Sequence, residues 1–110
     1  MTRNTVKKQM ELCTEIDMVG CNSQPDFEAL TNVLQGNADM IRDIQFPVYD
    51  TMFIRFNKTV NPIRMAELVR SMWADEVNQA KFSHLQYLSD GVVSSKCARD
   101  IDKYIRFWWD

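Results

Sequence analysis

Asn61 followed by Pro62 opens the most strongly patterned stretch of the chain. A proline at the first helical position sacrifices no hydrogen bond, and an asparagine before it caps the free amides, so the pair marks a helix start. From there Ala66, Val69, Trp73, Val77, Ala80, His84 and Leu88 fall on one face at the 3.6-residue period, for about seven turns. Gly91 then offers a C-terminal cap. Leu68, Met72 and Phe82 lie off this stripe, so the helix is buried on two sides or breaks near Asp75. A chain of 110 residues that spends a quarter of its length on one helix has to wrap its other segments around it. The expected fold is therefore mainly α, a compact bundle of four to five helices forming a single domain over residues 1–110.

The other segments fit that expectation. Val6, Met10, Cys13 and Ile16 are spaced for a helix over residues 5–18, with Asn4 as its cap. Pro25 starts a second helix, on which Phe27, Leu30, Leu34, Ala38 and Ile41 share a face that continues through Gly36, with a break at Gly36-Asn37 as the alternative. Ser94 or Ser95 caps a last helix that aligns Cys97, Ile101, Tyr104 and Trp108. Residues 48–59 have no clear period. The alternative fold is α+β, with a short strand near residues 51–56. Phe-Ile-Arg-Phe at 53–56 does resemble Tyr-Ile-Arg-Phe at 104–107, as two paired strands would, but so short a match is treated as chance.

Charge narrows the function. The net charge is −2, and between Gln9 and Asp50 the only basic residue is Arg42. A protein built to grip phosphate backbones carries a basic excess, so nucleic acid is not the expected partner. No apolar run approaches the ~20 residues that span a bilayer, and the first residues lack the apolar core of a signal peptide, so a cytoplasmic protein with no membrane association is expected. Three cysteines without a CxxC pair suit a reducing compartment.

No motif for chemistry emerges. His84 is the single histidine and reads as a core or core-edge residue. A zinc site would have to combine Cys13, Cys21, His84 and Cys97, whose spacing matches no usual knuckle. There is no nucleophile elbow and no glycine-rich phosphate loop. The expectation is a non-enzymatic protein without catalytic, cofactor-binding or metal-binding residues.

The ending Arg106-Phe107-Trp108-Trp109-Asp110 stands out. On a helix, Trp108 shares the stripe while Phe107 and Trp109 flank it, widening the apolar surface beyond one seam. Arginine and large aromatics dominate binding hot spots. Arg106, Phe107, Trp109 and Lys103 are accordingly the expected partner-binding residues. The expected function is a protein-binding module, such as an inhibitor, adaptor or small regulatory subunit, that occupies another protein or a second copy of itself. Small motif-free chains of this kind are common in phages and mobile elements, although no residue shows that origin. The alternative is a small helical transcription or nucleic-acid regulator using Arg99, Lys103 and Arg106.

Overall fold

The computed structural model describes residues 1–13, 21–88 and 92–110. The architecture is α+β and corrects the expected helical bundle. In chain order it comprises α1 (Arg3–Glu11), α2 (Phe27–Gly36), β1 (Ile41–Val48), β2 (Thr51–Phe56), α3 (Pro62–Met72), β3 (Glu76–Gln79), α4 (Ser95–Arg99) and β4 (Ile105–Trp108). Short 3₁₀ turns lie at Ala38–Met40, Phe82–Tyr87 and Ile101–Lys103. The strands form one antiparallel sheet in the order β1-β2-β4-β3.

The long helix expected from Pro62 to Leu88 is real for its first eleven residues only. Asn61 accepts from the amides of Ile63 and Arg64, as a cap should. At Trp73 the backbone turns left-handed, with φ of 54°, and the indole Nε1 of Trp109 donates to the Met72 carbonyl at 2.8 Å. A carbonyl that would otherwise continue the helix is thus satisfied from across the molecule. Asp75 N–H donates to the Trp108 carbonyl, and residues 76–79 join the sheet. Val77 and Ala80 matched the helical period, but pairing with β4 outweighs that local pattern. The cap expected at Gly91 lies outside the described residues.

At the N-terminus Thr2, rather than Asn4, caps α1, and the part of the expected helix beyond Cys13 lies outside the described residues. Asp26 caps α2 through the Ala29 amide, which leaves Pro25 just outside. The stripe does not continue through Gly36: the alternative, a break at Gly36-Asn37, occurs, but only a single 3₁₀ turn and then a strand follow it. Strand β1 escapes a period-2 reading because its register slips twice, between Ile41 and Asp43 and between Gln45 and Val48. The first slip leaves Ile41 and Ile44 both buried, three residues apart, and this imitates a helical stripe. Pro47 sits at the second slip on an edge strand, where a missing amide is tolerated.

The last helix is also corrected. Ser94 does cap a helix, through the Cys97 amide, but α4 ends at Arg99 and the chain re-enters the sheet as β4. The two similar tetrapeptides lie in neighbouring strands, with Ile54 opposite Ile105 and Phe53 opposite Arg106. Their resemblance marks strand pairing after all.

The sheet separates two apolar clusters. Helices α1, α2 and α3 bury Val6, Met10, Leu30, Leu34, Leu68 and Met72 against Ile44, Met52, Ile54 and Phe107 on one face. On the other face Phe53, Ala80, Cys97, Ile101 and Tyr104 form a smaller cluster, flanked by Leu85, Leu88 and Val93. Strand β2 is central, and its first four residues are all buried.

Candidate functional site

Period-2 alternation in β4 sends successive side chains to opposite faces. Phe107 points into the large core, whereas Arg106 and Trp108 belong to the outer face. Trp109, just past the strand, is also fully buried in the large core, with its indole ring 6.4 Å from that of Phe46. The four residues expected to bind a partner are therefore divided. Phe107 and Trp109 have 0% exposure and supply no surface. Lys103 lies 4.0 Å from Asp100 on the turn before β4. Arg106 alone borders a sizeable cleft with aromatic walls.

That cleft, of about 390 Å³, lies on the outer face between the sheet and the Phe82–Tyr87 turn. Thr51, Arg106 and Trp108 belong to the strands lining it, Tyr49 and Asp50 to the β1–β2 hairpin, and His84, Tyr87 and Leu88 to the side facing the strands. The hairpin is held in place by the Trp109 amide, which donates to the Asp50 carbonyl. The burial of Trp109 in the core thus shapes the cleft on the far side of the sheet.

Within the cleft Arg106 is tied down. Its Nη1 is 3.2 Å from Glu76 Oε2, and its guanidinium carbon lies 5.7 Å from the centroid of the Trp108 ring, within cation–π range. His84 Nδ1 accepts the Lys81 amide hydrogen at 2.9 Å. A backbone amide can only donate, so Nδ1 carries no proton and Nε2–H is the donor of the neutral ring. Partial burial holds the His84 pKa below its ordinary value, helped by the positive charges of Arg106 and Lys81 and opposed by Glu76. The ring is therefore neutral at pH 7. Among the described residues no carboxylate or nucleophile hydrogen-bonds to it.

The remaining candidates are separated. Cys13 and Cys97 are buried in different clusters and Cys21 is half-buried, so the three thiols share no site. Among the described residues no three of His, Cys, Asp and Glu are grouped to hold a metal ion. Arg99, Lys103 and Arg106 no longer line one side of a helix: the first two approach Asp100 and the third approaches Glu76. The acidic first half is equally dispersed, with Asp26 capping α2, Asp39 gripped by Arg64 at 2.6 and 2.8 Å, and Asp43 accepting from Tyr104. Among the described residues no helix is long and apolar enough to cross a membrane.

Sequence reasoning missed Tyr49, Tyr87 and Trp108 as cleft residues. The usable signal was the repeated aromatic-Ile-Arg-Phe, which, read as two strands, puts Arg106 and Trp108 on one face and Phe107 on the other. No protein-family model, curated protein or solved structure matches the chain.

Proposed function

We propose that the chain is a protein-binding module that acts by occupying a partner through the outer face of the sheet at its β4–β3 side. The observation carrying this reading is the company around the cleft. Tyr87 is 88% exposed beside Trp108, Arg106 and His84, and Phe82 at the other end of the same turn is 68% exposed. Tyrosine, tryptophan and arginine are the types that carry most binding energy at interfaces. Next to them β3 is an edge strand with all four residues exposed, so its outer backbone groups can accept an added strand. His84, neutral and without a bonded carboxylate or nucleophile, contributes a hydrogen-bond donor to recognition in this reading.

Photo-crosslinking in the native host tests the proposal. A photoreactive phenylalanine derivative replaces Tyr87 in one variant and Lys7, on exposed α1, in another. The Tyr87 position is expected to yield a discrete protein adduct that the additional change Arg106→Ala abolishes, while the Lys7 position yields none. Adducts formed equally from both positions, or insensitive to Arg106, would remove the outer-face reading.

A further inference from the structure

A second cleft, of about 380 Å³, opens on the same face of the sheet at its β1 side, between β1, β2 and α4. Three cations line it: Arg42 from β1, Arg55 from β2 and Lys96 from α4. The register slip between Ile41 and Asp43 explains why the consecutive Arg42 and Asp43 reach one cleft, since a bulge breaks the strict alternation of faces.

Arg55 is the informative residue. Its side chain is only 15% exposed, yet among the described residues its one ionic contact is Asp100 at 3.5 Å, with no hydrogen bond closer than that. A guanidinium offers five N–H donors, and with one long contact to Asp100 the remaining donors of Arg55 are open to the cleft rather than sealed in the core. Asp100 is itself shared, lying 3.9 Å from Arg99 and 4.0 Å from Lys103. Arg42 and Lys96 have no ion pair among the described residues.

The carboxylate in the cleft is already engaged. Asp43 Oδ2 accepts the Tyr104 hydroxyl at 2.5 Å and a Gln45 amide hydrogen at 3.1 Å, while Gln45 Oε1 accepts the Ser94 amide. These bonds tie β1 to the start of α4, and with Arg55 placed beside Asp100 they leave Arg42 and Lys96 as the two lining cations without an ion pair among the described residues. A tetrahedral dianion supplies the matching charge and the acceptor oxygens that paired guanidinium groups bind well.

We infer that this cleft binds a small phosphate-bearing ligand, with Arg42, Arg55 and Lys96 as its anion-binding residues. The site is separate from the partner-binding face proposed above and stands or falls without it.

The test follows amide shifts by NMR in the full chain during titration with inorganic phosphate and, separately, with O-phosphoserine, each against sodium chloride of equal ionic strength. Saturable shifts centred on residues 42–45, 55 and 94–97 are expected. Tighter binding of O-phosphoserine assigns the site to phosphate esters, and equal binding assigns it to free phosphate. Binding of O-phosphoserine should strengthen between pH 5.5 and 7.5, as a phosphate monoester loses its second proton near pH ~6. The double variant Arg42→Gln/Lys96→Gln alters two exposed side chains, should melt like the parent, and should bind at least about tenfold more weakly. Arg55→Lys, which keeps the charge, serves in place of a glutamine variant that fails to fold, and should lose affinity along with the paired geometry. Shifts that do not saturate, that spread evenly as in sodium chloride, or that survive in the double variant overturn the proposal.

Discussion

The two faces of the sheet are built on different terms. The helix-covered face is closed by long apolar side chains from α1, α2 and α3, and Phe107 is sealed there. Among the described residues the outer face is covered by α4 and two 3₁₀ turns, which bury a small cluster around Phe53 and Tyr104 and leave a cleft on either side. Stability is therefore concentrated on one face and polar recognition groups on the other. The division runs between neighbouring residues: Trp109 is fully buried, and Trp108 is half-buried in a cleft.

The sharpest way to break this comparison is to remove each tryptophan in turn. Trp109→Ala empties a filled site and frees the Met72 carbonyl, so it should cost about 3–5 kcal/mol. Trp108→Ala should cost nearer ~1 kcal/mol, because only part of that ring leaves water on folding. Chemical denaturation measures both, and equal losses would show that the outer face is core as well.

Tyr104→Phe probes the outer cluster at its polar point. Deleting the hydroxyl leaves Asp43 short of a donor in a half-buried position, at a cost of about 1–3 kcal/mol. A neutral outcome in the same denaturation assay would mean that water replaces the phenol freely and that the outer cluster is looser than its burial indicates.

Alkaline titration gives a further contrast. Burial, reinforced by Asp43, pushes the Cys97 thiol from 9.0 up to about 12, and burial with the bond to Asp43 also raises Tyr104. The folded state keeps these protons while the unfolded chain releases them. The Cys97 contribution to stability is thus fully present below pH 9 and is lost between pH 9 and about 12, while that of Tyr104 is fully present below pH 10 and declines above it. The double variant Cys97→Ala/Tyr104→Phe should show a flatter decline over that window, and an unchanged slope would refute the assignment.

The smallest effect belongs to Arg106→Gln. The Arg106–Glu76 pair is partly exposed, with side-chain exposures of 15% and 53%, so stability should shift by less than about 1 kcal/mol. The NMR titration of His84, the single histidine, should begin below 6.5 and move upward in the variant. It should remain below 6.5, because burial outranks the charge of Arg106 as the cause. A midpoint above 6.5 in the parent protein would remove His84 from the partly buried setting described.

Sequence alone determined the features whose physics is local. Asn61-Pro62 starts a helix and Ser94 caps one because capping needs only the residues on either side of the boundary. The break at Gly36-Asn37 was legible only as the alternative to a continuous helix, because the apolar stripe runs on past it. The tertiary structure decided everything that depended on a distant partner. Val77 obeys a helical period yet belongs to the sheet, and Ala80 just past the strand donates to the Tyr104 carbonyl, because β4 lies beside them and the Trp109 indole closes α3 at Met72. Ile41 and Ile44 imitate a helix because a bulge, visible only against β2, displaces the strand period. Of the candidate site, Arg106 and His84 were singled out from the sequence, but their proximity to Trp108 follows from the strand alternation of β4 and the path of the Phe82–Tyr87 turn. A side-chain period names the face a residue occupies only once the element type is known. Here that type was chosen by hydrogen bonds between segments far apart in the chain.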